Sequence, residues 1–225
     1  MVCWCLSLWQ KKQILRYVRD IMVQKNLELV IASTNMHKVR EFRTMLKAFP
    51  NLDALSLCDF PEYVPPEETG STLEENAILK ACSAAKQLNR WVLADDSGLI
   101  VPTLGGEPGV HSARYAGNEA TDLENRRKLL SNMAHFMDED RNAFYECCIA
   151  LASPQGLKKV AKGTCEGVLA LHDKGGSGFG YDPIFIKHGY HKSFAELGEA
   201  IKNRVSHRRK AFDKMLSAIE ALFSE

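Results

Sequence analysis

Apolar runs and polar loops alternate along this chain in a way that is typical of α/β proteins. Residues 27–32 form an apolar run that predicts a buried strand, and residues 39–49 repeat apolar side chains at helical spacing until Pro50 ends the helix. A second helix is predicted from Leu73 to Leu88, where leucines and alanines share one face. The pattern therefore predicts helices packed against a sheet.

The second half of the chain continues this pattern and adds a pair of strands. A Thr-x-x-Glu capping box opens a helix predicted over 121–133. Residues 143–152 and 160–164 predict two strands joined by a hairpin at 154–156. Periodic apolar residues then predict a helix from Ser206 nearly to the C-terminus.

Residues 1–25 have a pattern of their own. Apolar positions at helical spacing predict an amphipathic helix over 10–24, although a translation start at Met22 explains the segment equally well. The segment lacks the basic leader and the cleavage site of a signal peptide. We therefore expect an N-terminal extension of unknown role, residues 1–25, before a single domain that covers residues 26–225.

Charge and cysteine content narrow the classes of protein. The 225 residues carry a formal net charge of +1, which argues against the broad basic surface of a nucleic-acid-binding protein. Seven cysteines without a Cys-x-x-Cys pair fit neither a disulfide framework nor a zinc site, and they indicate a reducing, cytoplasmic location. No apolar run approaches the roughly 18 residues of a membrane span. We expect neither nucleic acid nor a membrane as a partner.

Two adjacent carboxylates interrupt the apolar pattern near the middle of the chain. Residues 91–94 predict a buried strand, Asp95 and Asp96 come at its carboxyl end, and Gly98 is expected to turn the chain. Open α/β sheets bind ligands at this end of their strands, and two carboxylates there suit Mg²⁺, which prefers oxygen ligands. Acidic residues also close strands simply as turn formers, so this pattern leaves both interpretations open.

Two helix starts carry residues that suit an anion. The Ser-Thr-Asn-Met-His-Lys loop 33–38 links the first strand to its helix, so backbone N–H groups and the positive end of the helix dipole face it. Three basic residues follow Ser206, and Lys202 is nearby. Cations at a helix start oppose the dipole, and a bound anion would make them tolerable. An ordinary cap and a solvated basic turn are the alternatives.

Two further segments carry candidate binding residues. In the helix 73–88, Asn76 and Lys80 share a face, and Glu75 next to them is either a helix cap or a second metal carboxylate. The glycine-rich stretch 175–183 precedes a predicted strand rather than a helix, so it is not a dinucleotide fingerprint. One of its aromatic side chains could stack on a base, or the stretch could be a flexible hairpin with packed aromatics.

Seven short blocks follow one another along the chain: Ser33-Thr34-Asn35-x-x-Lys38, Glu75-Asn76-Ala77-x-x-Lys80-Ala81, Ala94-Asp95-Asp96-Ser97-Gly98-Leu99, Gly105-Gly106-x-Pro108-Gly109, Ser112-Ala113-Arg114-Tyr115, Gly178-Phe179-Gly180-Tyr181-Asp182-Pro183 and Ser206-His207-Arg208. In order and spacing they resemble the inosine triphosphate pyrophosphatase family. Members of that family hydrolyse ITP, dITP and XTP to the monophosphate and pyrophosphate, which cleanses the nucleotide pool. The resemblance covers about residues 27–223.

The resemblance implies an α/β, elongated two-lobed mixed-sheet fold with flanking helices, a nucleotide cleft between the lobes, and a homodimer. It implies that Asp96 is the general base and a Mg²⁺ ligand, with Asp95 and Glu75 as further magnesium carboxylates. The implied substrate contacts are Ser33, Thr34, Asn35, Met36, His37, Lys38, Lys80, Ser97, Phe179, Gly180, Tyr181, Asp182, Lys202, Ser206, His207 and Arg208.

The chain departs from the family pattern at two positions of the first loop. Thr34 stands where glycine is common, and His37 stands where a small residue is frequent, so both side chains could narrow the phosphate cradle. Two alternative functions remain open on the sequence. One is a pyrophosphatase for other modified nucleotides, and the other is a nucleotide-binding regulator without turnover.

Overall fold

The computed structural model describes residues 26–224. Its strands form one mixed sheet in the order β2-β1-β3-β4-β5-β6. Their bounds are β1 (Leu27–Ile31), β2 (Leu52–Ser56), β3 (Trp91–Ile100), β4 (Asn142–Ser153), β5 (Gly156–Leu169) and β6 (Phe185–Lys187). Strand β1 pairs in parallel with β2 and β3, whereas β3, β4, β5 and β6 are antiparallel neighbours. The expected mixed α/β sheet is confirmed, and β2 lies outside the predicted strands.

Helices flank this sheet on both faces. Their bounds are α1 (Met36–Leu46), α2 (Leu73–Leu88), α3 (Asp122–Asn132), α4 (Phe194–Leu197), α5 (Glu199–Val205) and α6 (His207–Ala221). The apolar sides of α1 and α6 pack on one face of β1, β3 and β4, and α2 packs on the opposite face. The flanking helices are therefore confirmed, while the division into two lobes around a cleft stays a prediction.

A further cluster of buried side chains lies where β4, β5 and β6 meet α3 and α4, around Tyr145, Phe185 and Phe194. Within the described residues, no helix is both long and apolar enough to cross a bilayer. The amphipathic helix predicted over 10–24 lies outside the described residues.

Strand β3 does not end at the two carboxylates, so that prediction is wrong. The strand continues to Ile100 and stays paired with β4 over its whole length except Trp91. Gly98 lies inside the strand, paired with Glu146, rather than at a turn. The position requires glycine because a Cβ atom there would lie 2.3 Å from the carbonyl oxygen of Gly109. Asp95 and Asp96 are therefore mid-strand residues.

Because strand side chains alternate, the two aspartates point to opposite faces of the sheet. Asp95 follows the side of Leu93, which packs with α1 and α6. Asp96 follows the side of Ala94, which packs with α2. The two adjacent aspartates therefore lie on different faces of the sheet and next to different helices.

Candidate active site

A cavity of about 290 Å³ lies beside β3, where the loop after β1, helix α2, the glycine-rich loop and the start of α6 converge. Fourteen of the predicted site residues line it: Ser33, Thr34, Asn35, Lys38, Lys80, Asp96, Ser97, Phe179, Gly180, Tyr181, Asp182, Lys202, His207 and Arg208. The segments that the sequence separates by up to 175 positions therefore share one cavity, as expected.

The loop after β1 is shaped by its own side chains. Asn35 caps α1, and its Oδ1 accepts hydrogen bonds from the backbone N–H groups of His37 at 2.9 Å and Lys38 at 3.3 Å. Those two groups, expected to face an anion, are therefore already bonded within the loop. The Lys38 side chain reaches the cavity, but Met36 and His37 lie outside its lining.

Asp95 is the centre of a buried cluster of charges and is 2% exposed. Its Oδ2 atom lies 3.1 Å from Lys38 Nζ and accepts hydrogen bonds from Arg208 Nη2 at 3.0 Å and Ser97 Oγ at 2.7 Å. Although burial opposes ionisation, Lys38 and Arg208 hold the pKa of Asp95 well below its ordinary range. Asp95 therefore joins the start of α1 to the start of α6, and its environment suits this role better than metal binding.

Asp96 has the opposite electrostatic setting although it is the next residue. Its Oδ1 accepts a hydrogen bond from Lys80 at 2.7 Å, and its Oδ2 accepts one from Asn76 at 3.4 Å. Asn76 and Lys80 therefore share a face, as predicted. Burial raises the pKa of Asp96, and the nearby Lys80 only partly opposes this. A carboxylate with a raised pKa that faces a cavity is suited to accept a proton.

Glu75 does not join Asp96, so the three-carboxylate metal site is not assembled. Its carboxylate accepts hydrogen bonds from the backbone N–H of Ser71 at 2.7 Å and from the Ser71 hydroxyl at 2.8 Å. The backbone N–H of Glu75 donates to Thr72, the N-cap of α2. Across residues 26–224, no group of three or more His, Cys, Asp and Glu side chains is arranged to hold a metal. Glu75 therefore caps the start of α2, which was the alternative to metal binding in the sequence analysis.

Glu68 is the carboxylate that the structure brings to Asp96 instead. Its Oε1 lies 3.1 Å from Lys80 Nζ and its Oε2 lies 3.3 Å from Arg114 Nη1, and all of these residues line the cavity. Glu68 and Asp96 thus share one lysine and offer only oxygen donors, which fits a hard cation. The sequence signal was an acidic pair, residues 67–68, at the end of a loop otherwise rich in proline.

A second buried cluster contributes Lys202 and Asp182 to the cavity lining. Lys202 Nζ lies 2.6 Å from Asp182 Oδ2 and 3.0 Å from Glu41 Oε1. Glu41 also bonds Arg208, so it links this cluster to Asp95. Sequence reasoning missed Glu41, and the available signal was a charged residue between Val39 and Phe42 on the apolar side of α1.

Phe179 stands at the edge of this cluster. The amine of Lys202 lies 4.2 Å from the centre of its ring, and the His37 ring stacks on it with centroids 5.1 Å apart and an interplanar angle of 17°. His37 therefore contacts the site through Phe179 rather than through the cavity. Ser206 is the N-cap of α6 and accepts a hydrogen bond from the backbone N–H of Arg209, so it supports the site from behind.

His207 is buried beside the cations of this cluster and stacks on Tyr145, with ring centroids 4.5 Å apart. Burial, together with Arg208 and Lys202, lowers its pKa well below the ordinary value of 6.5. The unfolded chain binds a proton at His207 below about pH 6.5, whereas the folded protein does not. The free energy of unfolding should therefore fall as the pH drops below about 6.5, by up to about 1.4 kcal/mol per pH unit from this residue.

The variant His207→Gln removes this contribution. Urea unfolding of both proteins at pH 7.5, 6.5 and 5.5 measures it, and we expect the stability advantage of the wild type over the variant to shrink as the pH falls. Parallel pH profiles for the two proteins would show that His207 titrates normally in the folded state.

The fold and the cavity together define the class of protein. It is an α/β protein whose cavity is lined by carboxylates that suit a hard cation, by lysines and arginines that suit a polyanion, and by an aromatic side chain. Residues 29–218 match the model of the Ham1 family, and the chain belongs to this family.

Relatives and solved structures agree with this assignment. The dITP/XTP pyrophosphatase of Protochlamydia amoebophila is 57% identical over 197 residues, which cover 87% of this chain and 99% of that protein. The dITP/XTP pyrophosphatase of Chlamydia trachomatis serovar L2 is 49% identical over 88% of this chain and 95% of its own length. The Ham1 protein structure from Staphylococcus aureus matches with a TM-score of 0.76 and 44% identity, covering 86% of this chain and 98% of that one. The HAM1 protein from Coxiella burnetii matches with a TM-score of 0.78 and 40% identity, covering 87% and 99%. The expected family resemblance is confirmed.

Proposed function

We propose that this protein hydrolyses non-canonical purine nucleoside triphosphates such as dITP and XTP to the monophosphate and pyrophosphate. The observation that carries the proposal is Asp96, a carboxylate with a raised pKa that faces the cavity 2.7 Å from Lys80. The relatives named dITP/XTP pyrophosphatase support the same substrate class. The protein is therefore an enzyme that acts on a phosphoric anhydride bond.

The cavity residues divide the chemistry among them. Asp96 accepts a proton from the water that attacks the α-phosphorus. Lys38, Lys80 and Arg114 neutralise the charge that develops on the departing pyrophosphate. Mg²⁺ fits the oxygen donors of Glu68 and Asp96, and when bound it would neutralise phosphate charge beside them. Asp95 orients Lys38 and Arg208 from behind the cavity.

Lys202 and its partners offer a basis for selecting the purine. Its ammonium group has three donors, and Asp182 and Glu41 accept two of them, so one remains for a ligand. Hypoxanthine and xanthine present a 6-oxo acceptor, whereas adenine presents an amino donor. A buried donor that faces another donor is left unpaired, which costs about 1–3 kcal/mol. Phe179 at the same end would stack on the base.

We infer further that residues 26–225 are the catalytic domain, that residues 1–25 are an extension, and that the enzyme is a cytoplasmic homodimer without a nucleic-acid or membrane partner. Five free cysteines among the described residues and the net charge of +1 support the location and the absence of nucleic acid. The family resemblance supports the homodimer. Light scattering coupled to size-exclusion chromatography would measure the mass in solution.

Release of pyrophosphate from dITP, XTP and dATP, with and without Mg²⁺, tests the proposed function. We expect rapid release from dITP and XTP and little release without Mg²⁺. For dATP we expect kcat/KM to be lower by about 5- to 150-fold, the ratio that corresponds to about 1–3 kcal/mol, because its amino group leaves the remaining Lys202 donor unpaired. Equal rates with dATP, or release of inorganic phosphate instead of pyrophosphate, would contradict the proposal.

A further inference from the structure

The segment that carries Phe179 contains three glycines in the left-handed region of backbone conformation. Gly175, Gly178 and Gly180 adopt φ values of +79°, +80° and +57°. Glycine loses more conformational freedom than any other residue when it is ordered. His37 and Lys202 contact the Phe179 ring, but the backbone that carries the ring also needs contacts from outside the loop to stay in one conformation.

Helix α3 supplies such contacts at both polar groups of Gly180. The backbone N–H of Gly180 donates to Asp122 Oδ2 at 2.6 Å, and its carbonyl oxygen accepts from Arg126 Nη1 at 2.8 Å. Asp122 and Arg126 are four residues apart, so they lie on the same side of α3. One face of α3 therefore hydrogen-bonds both the N–H and the carbonyl group of Gly180.

Arg126 also bonds Asp173, which precedes the glycine-rich stretch. Arg126 Nε donates to Asp173 Oδ2 at 3.0 Å, and the side chain of Arg126 is only 13% exposed. Asp173 before the glycine-rich stretch and Gly180 within it are thus both bonded to one guanidinium group. Charge-assisted hydrogen bonds of this kind are stronger than neutral ones.

Helix α3, which carries Asp122 and Arg126, is itself held by hydrogen bonds and by a buried side chain. Asn125 Oδ1 accepts from the backbone N–H of Ala116 at 2.7 Å, and its Nδ2 donates to the carbonyl oxygen of Ala113 at 3.0 Å. Leu129 of α3 is fully buried. Asp122 and Arg126 therefore project from a rigid platform that also carries the cavity wall around residues 112–114.

We propose that Asp122 and Arg126 are positioning residues for the base: they hold the peptide groups of Gly180 and so keep the Phe179 ring in place to stack on the purine. Phe179 itself adds two bonds within the loop: its N–H donates to Asp182 Oδ2 at 3.0 Å, and its carbonyl oxygen accepts from the backbone N–H of Asp182 at 3.2 Å. The inference rests on the proposed function, because it assigns the base to the Phe179 end of the cavity.

The experiment compares Arg126→Gln with Arg127→Gln, a matched variant of an exposed arginine on the same helix. For Arg126→Gln we expect KM for dITP to rise about tenfold, which is the loss of roughly one charge-assisted hydrogen bond, with kcat within about twofold. Inhibition by pyrophosphate, a probe without a base, should change less than about twofold. Arg127→Gln should behave as the wild type. Asp122→Ala, which removes the acceptor of the Gly180 N–H, should follow Arg126→Gln.

A double-variant test separates positioning from general loosening of the structure. In a Phe179→Leu background the ring is absent, so Arg126→Gln should raise KM no further. Thermal unfolding of every variant shows whether it is folded. The proposal is overturned if Arg126→Gln leaves KM unchanged, weakens pyrophosphate as much as dITP, or acts additively with Phe179→Leu. Absence of turnover in the wild type would instead refute the proposed function, and calorimetric affinities for dITP would then replace KM in the same comparison.

Discussion

The variant Asp96→Asn is expected to lose turnover by about three orders of magnitude, the middle of the range that general acid–base catalysis typically contributes. Asparagine has the same shape but cannot accept the proton of the attacking water. Lys80 keeps Glu68 as a partner at 3.1 Å, so the cavity should stay intact. The measurement is the single-turnover rate of pyrophosphate release from dITP, combined with calorimetric binding of dITP, which should be largely retained.

Glu75→Gln is the control for this prediction. Its carboxylate lies at the cap of α2 and not in the cavity, so turnover should stay within about twofold of the wild type, with a small loss of stability. Turnover in Asp96→Asn close to that of the wild type would remove Asp96 as the base. A loss of turnover in Glu75→Gln as large as that in Asp96→Asn would mean that the metal site includes the α2 cap.

The variant Asp95→Asn should have the largest effect on folding. The substitution keeps the size of the side chain but leaves Lys38 and Arg208 without the carboxylate that faces both. Arg208 is 1% exposed and keeps Glu41 as a partner, but the buried cluster of Lys38, Lys202 and Arg208 is left with one carboxylate too few. Removing one partner from a buried ion pair typically costs about 3–5 kcal/mol of stability. Urea unfolding at pH 7.5 should show a loss of this size in the free energy of unfolding.

Asp213→Asn provides the comparison, because Asp213 pairs with Arg209 at 2.7 Å on the exposed side of α6. An exposed pair four residues apart on a helix contributes about 0.3–0.5 kcal/mol, so this variant should unfold almost as the wild type does. Equal losses in the two variants would show that the Asp95 cluster contributes no more than an exposed pair.

Residues with strong local patterns were predicted well. The bounds of α2 coincide with the predicted Leu73–Leu88, because Thr72 caps its start and the alanine face is continuous. The N-caps Thr121 and Ser206 were likewise predicted from residue type and spacing. These features depend on contacts within a few residues, which the sequence displays directly.

Features that depend on distant partners were predicted less well. The predicted end of β3 was wrong, because pairing with β4 extends the strand through two aspartates that local propensity would place in a turn. Glu75 and Glu68 are both acidic residues near the start of α2, and the sequence alone does not show which one faces the cavity. Only the path of the loop before α2 decides this, by bringing Glu68 to Lys80 and Arg114.

The alternation of side chains along β3 has a consequence for the evolution of this chain. Asp95 stabilises the packing of α1 and α6 on one face of the sheet, and Asp96 serves the proposed chemistry on the other face. Each role therefore depends on which face of the strand the residue points to. An insertion or deletion of one residue between Trp91 and Asp95 would exchange the two aspartates between the faces. Stability and catalysis would then fail together, so this stretch of strand cannot gain or lose a single residue.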